Sequence, residues 1–299
     1  MELFNYLDLY RKGLVKTTGK IENLELLPFE EKFFNHIHDN RFSIIKKSRQ
    51  MHVTNMLASY SAWLISEKPY IGPEDKEEST PTVIYLSNNF ESSKRFKTLV
   101  MNILPEDTNT AVNNVREVRL NKGNSLKVMS ATMGSLHSQS FTYTKLVIID
   151  EMAFLKRNGE FLTALLPLLT ESKTKLIIAS TPNGLETFHT LWNGATTDKN
   201  QFAPLNLTYK DNPLYTEEWL EQMKKNLNYN EAQIRQELYG EFTLAPTKDE
   251  LKKKSKKKSN LIQVRLDDDT LNQIGRKLIE KDINMSEYIR ELIKSDLTN

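Results

Sequence analysis

Several residue types and patterns that mark common protein classes are missing from this sequence. None of the 299 residues is cysteine, which excludes a disulfide framework, a thiolate zinc site and a cysteine nucleophile, and fits a reducing compartment. The five histidines stand in neither the HxxxH nor the HExxH spacing of two-histidine metal sites. No apolar run approaches the roughly 20 residues of a membrane span, and residues 1–12 lack the pattern of a signal peptide. We therefore expect a cytoplasmic protein with no membrane partner.

Glycine is also scarce, and this matters for one class of site. Only 10 of the 299 residues are glycine, which is about 3% against a usual value of about 7%. Loops that enclose phosphate groups normally use glycine, because it allows the backbone to approach closely. The hydrophobic fraction of 38% is nevertheless enough for a real core. The length predicts one large domain plus a small unit, or two domains.

Positive charge is concentrated near the C-terminal end. The net charge of the whole chain is only +2, but residues 246–299 contain 13 basic and 10 acidic residues, whereas the rest of the chain contains 28 and 29. The excess comes from a run of lysines, Lys252, Lys253, Lys254, Lys256, Lys257 and Lys258. Because this run contains no apolar residue, we interpret residues 246–260 as a solvated linker. This linker either serves solubility alone or attracts the phosphates of DNA beside a neighbouring DNA-binding unit.

Short apolar runs alternate with amphipathic stretches along most of the chain. The predicted strands lie at 42–45, 82–86, 125–130, 145–149 and 175–179. The predicted helices lie at about 54–66, 91–104, 217–226 and 231–239, the last two in a helical subregion over about 213–242. Continuous apolar strands separated by helices are typical of a parallel sheet covered on both faces. We therefore predict an α/β domain over residues 1–245, with a mostly parallel sheet and helices on both faces.

Polar residues follow three of the predicted strands: the segment 48–54, the pair Asp150-Glu151 and the pair Ser180-Thr181. Ligands of open α/β sheets bind beyond the carboxyl ends of the strands, so we expect these segments to meet at one edge. A strand that ends in Asp-Glu has a specific chemical use. Asp150 can hold Mg²⁺, directly or through water, and Glu151 can orient the water that attacks a γ-phosphate. The alternative is structural, with Asp150 as the cap of a helix.

Four segments, in a fixed order, resemble the ATPase domain of tailed-phage large terminases, the DNA-packaging motors. Residues 42–50 are similar to the strand and the start of the family's Walker A loop, and residues 146–154 are similar to its Walker B segment. Residues 176–192 resemble its coupling motif and the helix that follows. Residues 234–242 resemble the end of the ATPase region. The resemblance covers about residues 25–245.

The resemblance implies a P-loop-type ATPase that binds ATP and Mg²⁺ and acts in viral DNA packaging in the cytoplasm of the host cell. Its implied partners are double-stranded DNA and other terminase subunits or the portal. The implied catalytic residues are Glu151 and Arg49, and the implied magnesium ligands are Thr54 and Asp150. The implied cofactor contacts are Ser48, Gln50, Thr54 and Asp150, and the implied coupling residues are Ser180 and Thr181.

The Walker A segment departs from the family pattern. The family's Gly-Lys-Thr falls on His52-Val53-Thr54, so only the threonine is kept, and valine supplies no charge for the phosphates. Arg49, Lys46 or Lys47 could replace the missing charge. The arginine that the family tends to have before the Walker B strand is also absent, since the similar stretch is 136–141. We therefore expect nucleotide affinity to be weak and hydrolysis to be slow or lost.

Large terminases normally continue into a nuclease domain with metal-binding carboxylates. The resemblance ends at Phe242, and the next acidic cluster, residues 267–269, is better interpreted as the start of a helix. We therefore expect no nuclease in this chain.

Residues 261–299 have a separate pattern. Residues 261–266 alternate as a strand, and two helices follow, the second capped by Ser286. One strand and two helices of this size cannot bury a core alone, which favours a homodimer. Residues 260–297 resemble the ribbon-helix-helix DNA-binding family through the segments 264–268 and 286–290. We therefore predict a small β-α-α unit after the linker.

In the ribbon-helix-helix family, two chains pair their strands into a ribbon that enters the major groove. This resemblance implies that Gln263 and Arg265 contact base edges and that the helix end at Ser286 contacts a backbone phosphate. The lysine run would add attraction to phosphates. The alternative is a module that only dimerises.

Two functional hypotheses follow from the sequence. The first is a terminase-like, DNA-binding ATPase-fold protein with a degenerate Walker A loop and no nuclease domain, connected with viral DNA packaging. The second is a catalytically inactive DNA-binding regulator that antagonises a complete terminase. Val53 favours the regulator, and the pair Asp150-Glu151 favours the enzyme.

Overall fold

The computed structural model describes residues 26–66, 81–105, 107–137, 144–170, 173–227 and 231–243, together with six single positions near the C-terminal end. The chain divides into two compact units, Met1–Ala245 and Pro246–Asn299. Among the helices within these described stretches, none combines the length and the hydropathy that crossing a lipid bilayer requires.

Helices and strands alternate along the first unit. Its described helices are α1 (Pro28–Asp39), α2 (Val53–Ser66), α3 (Phe90–Ile103), α4 (Met133–His137), α5 (Asn158–Thr170), α6 (Thr187–Thr196), α7 (Glu217–Leu227) and α8 (Glu231–Glu237). Its described strands are β1 (Phe42–Lys47), β2 (Thr82–Ser87), β3 (Thr110–Asn113), β4 (Glu117–Leu120), β5 (Ser125–Ser130), β6 (Thr144–Asp150), β7 (Lys175–Ser180) and β8 (Ala203–Leu207). Single 3-10 turns lie at Met152–Phe154 and Tyr209–Asp211.

All eight strands form one sheet, in the order β3-β4-β5-β2-β6-β7-β1-β8. The pairs from β5 to β8 are parallel, and only β3 with β4 and β4 with β5 are antiparallel. The predicted α/β fold with a mostly parallel sheet is therefore confirmed. The strands β2, β6, β7 and β1 are neighbours, so the segments that leave their carboxyl ends emerge side by side.

The core lies on both faces of this sheet, because successive strand residues point to opposite sides. Ile45 and Ile148 belong to a buried cluster with residues of α1, α2 and α3. Ile44 and Ile149 belong to a second cluster with residues of α5 and α6. Both faces of the strands are thus buried under helices, which accounts for their nearly continuous apolar sequences.

The sequence did not predict the β3–β4 hairpin, the edge strand β8 or the helices α1, α4 and α5. The hairpin strands are four residues each and largely polar, and β8 contains Pro204, which a strand tolerates at the edge of a sheet. Helix α8 ends at Glu237, two residues before the predicted end.

The second unit is described at six positions only. Thr270, Ile274 and Lys277 are helical, as are Tyr288, Glu291 and Ser295, and Tyr288 is buried. The predicted linker and the predicted ribbon strand lie outside the described residues. So do the predicted DNA contacts, Gln263, Arg265, Ser286 and the lysine run 252–258.

Candidate functional site

The carboxyl ends of β1, β2 and β6 border a cleft of about 500 Å³. It is lined by Lys47, Arg49, Gln50, Met51, His52, Val53, Thr54, Asn88, Glu151 and Phe154. The segments after β1 and β6 were predicted to meet at one edge, and the structure brings them together here. Helix α2 begins at Val53, so its N-terminus, which favours anions, faces this region.

Asp150 is the last residue of β6, and its carboxylate accepts three hydrogen bonds from its neighbours. Its Oδ2 accepts hydrogen bonds from the Thr54 hydroxyl at 2.9 Å and from the Tyr85 hydroxyl at 2.8 Å. Its Oδ1 accepts the amide of Glu151 at 3.0 Å. Burial raises the pKa of Asp150, while the charge of Lys47 and these two hydroxyls oppose that rise.

The alternative role for Asp150, as the cap of a helix, is wrong. The residues that follow form a single 3-10 turn, Met152–Phe154, and the residue at its cap position is Glu151. Asp150 therefore lies in the strand, and its buried carboxylate is bonded to Thr54, which lines the cleft.

Glu151 links the cleft to the end of β7. Its Oε1 lies 2.6 Å from Lys47 Nζ. Its Oε2 accepts the Thr181 amide at 3.3 Å and lies 3.5 Å from the Ser180 hydroxyl. The backbone of Glu151 is left-handed, with φ of 55°, a conformation that costs an ordinary residue about 1–2 kcal/mol. Such strain is often found where a side chain must be held in one direction.

The three cations that could replace the Walker A lysine occupy different places. Burial alone would lower the pKa of Lys47, but the charges of Glu151 and Asp150 raise it above its ordinary value, so the ammonium stays charged. Lys46 points to the other face of the sheet, where its Nζ lies 5.1 Å from the ring centroid of Trp192. Arg49 borders the cleft, but its Nε lies 2.6 Å from Glu237 Oε2.

The loop after β1 is anchored to the chain just before α7 and at the end of α8. The Ser48 hydroxyl donates to the Leu238 carbonyl at 2.7 Å, and Ser48 is buried. The Arg49 amide donates to the Glu237 carbonyl at 2.8 Å. Gln50 borders the cleft, and its carbonyl accepts the Tyr215 hydroxyl at 2.7 Å. Ser48 therefore serves the anchoring of the loop in this structure.

The loop keeps a glycine-like backbone without glycine. His52 stands at the family's glycine position and has φ of 52°, and Gln50 has φ of 65°. Both values lie in the left-handed region that favours glycine. Val53, at the family's lysine position, is 2% exposed and packs in the core cluster with α2. The loop thus has two residues with backbone angles that favour glycine, and it has valine at the family's lysine position.

Sequence reasoning assigned no role to four residues of this region, Tyr85, Asn88, Phe154 and Glu237, although the last two lie in the segments 146–154 and 234–242 that carry the resemblance. Asn88 could have been found, because it follows a predicted strand at the same edge as the other polar segments. Tyr85 gave no signal, because an aromatic residue inside an apolar strand is typical of core. The pairing of Glu237 with Arg49 spans 188 residues of sequence, and no local pattern reveals it.

The first comparison is with protein families. A family model described as terminase large subunit, T4-like-virus type, N-terminal, matches residues 44–264. The matched range contains the whole cleft and extends past Ala245, through the lysine run and into the predicted ribbon strand at 261–266. It covers well over half of the chain.

Solved structures give the second comparison. A variant of the ATPase domain of the Thermus phage P74-26 large terminase is 15% identical, with a TM-score of 0.55, and the match covers 74% of this chain and 95% of that chain. The large terminase of a thermophilic bacteriophage is 15% identical, also with a TM-score of 0.55, over 70% of this chain and 50% of that chain. The same thermophilic protein has been solved with ADP and with ATP-γ-S. At such identities these likenesses show the fold alone.

Proposed function

The chain belongs to the family of terminase large subunit N-terminal domains of the T4-like-virus type, and we propose that it binds ATP with Mg²⁺ in the cleft and hydrolyses it slowly for viral DNA packaging. In this proposal Lys47 supplies the charge that Val53 cannot supply. The observation that supports it most directly is the position of the Lys47 ammonium, 2.6 Å from the Glu151 carboxylate at the edge of the cleft.

The residues present fit a magnesium nucleotide. Mg²⁺ prefers oxygen ligands and usually takes one or two carboxylates together with phosphates and waters. Thr54 and Asp150 supply a hydroxyl and a carboxylate, and a hydrogen bond of 2.9 Å from the hydroxyl to Asp150 Oδ2 holds the two together. The amides of Ser48 and Arg49 are used by other carbonyls, so the amides from Gln50 onward and the N-terminus of α2 are those that would meet a phosphate.

Lys47 is the best placed of the three candidate cations. A P-loop lysine works by bringing its ammonium to the β- and γ-phosphates, and the two acidic residues of this site, Asp150 and Glu151, lie at the end of β6. Lys47 stands beside both of those acidic residues and borders the cleft. Lys46 lies on the opposite face of the sheet among aromatic rings, and the Arg49 side chain is held by Glu237.

The same ion pair accounts for slow hydrolysis. Glu151 must orient a water molecule toward the γ-phosphate, and Mg²⁺ would neutralise the charge that develops on the phosphate oxygens. In this structure one Glu151 oxygen is bonded to Lys47 and the other to the end of β7. The bound phosphates, which carry more negative charge than one carboxylate, would have to draw the ammonium away before Glu151 could act.

The second candidate function is a catalytically inactive regulator that antagonises a complete terminase. Its support is the buried apolar side chain of Val53 at the lysine position, together with the neutralised charge of Glu151. In that case the domain would keep the fold and the contacts of the family without turnover.

Contact with DNA is a separate part of the proposal and rests on the sequence pattern of residues 246–299. The ribbon strand would pair with that of a second copy, and Gln263 and Arg265 would read bases in double-stranded DNA. Ser286 and the lysine run 252–258 would contact phosphates. Other terminase subunits or the portal would be partners in packaging, in the cytoplasm of the infected host.

The proposed activity is tested by measuring ATP binding and turnover of the full chain, with and without DNA. We expect weak Mg²⁺-dependent binding and slow turnover that DNA stimulates. Glu151→Gln, purified in parallel, should keep binding and lose turnover, which excludes a contaminating ATPase. Absence of nucleotide binding by the wild type would overturn the proposal and favour the regulator.

A further inference from the structure

We propose that Tyr85 is a positioning residue for Asp150, which orients this carboxylate toward the magnesium ion of a bound nucleotide. The inference rests on the proposed nucleotide function and adds a residue to its site. Tyr85 lies in β2, beside β6, and its backbone is in register with Ile148, two residues before Asp150. Its side chain is 2% exposed, and its hydroxyl donates to Asp150 Oδ2 at 2.8 Å.

The hydrogen bonds of Asp150 show why one more donor matters. An ionised carboxylate has about four acceptor sites. Oδ2 takes the hydroxyls of Tyr85 and Thr54, and Oδ1 takes the amide of Glu151. These three hydrogen bonds, two to Oδ2 and one to Oδ1, restrain the carboxylate and leave about one acceptor site, on Oδ1, for the metal or its water.

Of the two hydroxyl donors to Asp150, Tyr85 is the one that is not also a proposed magnesium ligand. Thr54 is itself a proposed magnesium ligand, so its hydroxyl must serve the metal as well as Asp150. The Tyr85 hydroxyl can stay on Asp150 when the site is loaded. Removing a hydrogen-bond donor that orients a metal-binding carboxylate typically lowers metal affinity by about 10- to 100-fold.

The ring that carries this hydroxyl is itself held in place. Tyr85 stacks on Phe96 of α3, with ring centroids 3.6 Å apart and an angle of 9° between the ring planes. The stack prevents the ring from swinging away from Asp150. It also means that phenylalanine would keep the packing and remove only the hydroxyl, so the role of the hydroxyl can be tested without a cavity.

The experiment is a titration of the full chain with ADP, once with Mg²⁺ and once with EDTA. The readout is the gain in affinity that Mg²⁺ provides, which depends on the metal ligands and not on the fold alone. For Tyr85→Phe we expect this gain to fall about 10-fold or more, while the affinity in EDTA stays within about twofold of the wild type.

Tyr60→Phe is the matched control, because Tyr60 is equally buried and its hydroxyl lies near His38, 3.5 Å from Nδ1. We expect it to keep the full magnesium gain. Asp150→Asn should abolish the gain, and adding Tyr85→Phe to it should change nothing further, because the tyrosine acts through the carboxylate. If Tyr85→Phe proved too unstable to purify, Phe96→Leu, which keeps the hydroxyl but removes the stacked ring, should still reduce the gain.

Three results would overturn the inference. A Tyr85→Phe protein with the wild-type magnesium gain would show that the hydroxyl is dispensable. Equal losses with Mg²⁺ and with EDTA would show a purely structural role. A wild type that binds no nucleotide under either condition would overturn the proposed function and this inference with it, whereas the first two results leave the proposed function standing.

Discussion

Lys47 and Glu151 are joined by an ion pair of 2.6 Å, although they come from strands that are separated in the sheet by β7. The pair places a buried ammonium at the edge of the cleft, where the chain has valine at the usual lysine position. The charge lost from the start of α2 is thus present at the end of β1.

Replacing Lys47 by methionine should make stability more dependent on pH. Burial already holds the pKa of Asp150 above its ordinary value, and the charge of Lys47 opposes that rise. Without Lys47 the folded-state pKa rises further above the unfolded value. A carboxyl whose pKa is higher in the folded protein than in the unfolded chain contributes its full stabilisation below the pKa of the unfolded chain. That contribution is lost as the pH rises through the pKa of the folded protein. The free energy of unfolding of Lys47→Met should therefore fall more steeply than that of the wild type from about pH 4 upward.

Urea unfolding at several pH values between 4 and 7 measures this slope. Lys47→Arg keeps the positive charge and serves as the control, with a slope close to that of the wild type. Parallel curves for Lys47→Met and the wild type would show that Lys47 does not influence Asp150.

Arg49 should contribute to stability through Glu237. The Glu237 side chain is 10% exposed and accepts a hydrogen bond from the Arg49 guanidinium at 2.6 Å, and the backbones of the two residues are also bonded. Because the Arg49 side chain is more than half exposed, we expect a coupling of only about 1 kcal/mol. A double-mutant cycle with Arg49→Ala and Glu237→Gln measures it by urea unfolding. Additive effects of the two substitutions would contradict a functional pair.

Gly240 should resist substitution because of its backbone and its neighbour. Its φ is +64°, and a side-chain carbon there would lie 3.4 Å from the Ser48 hydroxyl oxygen. The left-handed backbone alone costs alanine about 1–2 kcal/mol, so Gly240→Ala should lower the free energy of unfolding by that amount. Gly134→Ala is the control, since nothing lies within 4 Å of the added carbon. Equal effects of the two substitutions on the melting temperature would argue against the strained position.

DNA binding should separate into specific and general parts. Arg265→Ala should cost about 1–3 kcal/mol for the preferred sequence and little for other DNA. Neutralising the six lysines of 252–258 should weaken binding to all sequences and flatten its salt dependence, because fewer counterions are released. Titrations of labelled duplexes at several salt concentrations measure both. If the affinity of the full chain for DNA were unchanged by both Arg265→Ala and the neutralised lysines, a DNA-binding ribbon would be contradicted.

The sequence predicted the sheet well because its strands carry their own signal. Strand β5 was predicted at its observed bounds, and the predicted strand at 145–149 lies inside β6. The short hairpin strands and β8 lacked apolar runs and were missed. The local sequence is therefore enough to predict each central strand, whereas the outer strands form because they pair with neighbouring strands.

The site was harder to predict than the fold. Asp150 and Glu151 could be found, because carboxylates at the end of a buried strand are unusual. The choice among Lys46, Lys47 and Arg49 could not be made, because adjacent strand residues face opposite sides and only the packed structure shows which side holds the cleft. The ion pair of Arg49 with Glu237 and the hydrogen bond from Tyr85 to Asp150 join distant parts of the chain.

The central claim, that Lys47 supplies the charge for nucleotide phosphates, is tested most directly by comparing Lys47→Met with Lys46→Met in titrations with MgATP. The two lysines are adjacent, and both side chains are held in the structure, but only Lys47 borders the cleft. We predict that Lys47→Met loses at least about tenfold in affinity, the cost of one charge-assisted contact, and that Lys46→Met binds like the wild type. Wild-type affinity in Lys47→Met, or an equal loss in both variants, would contradict the account.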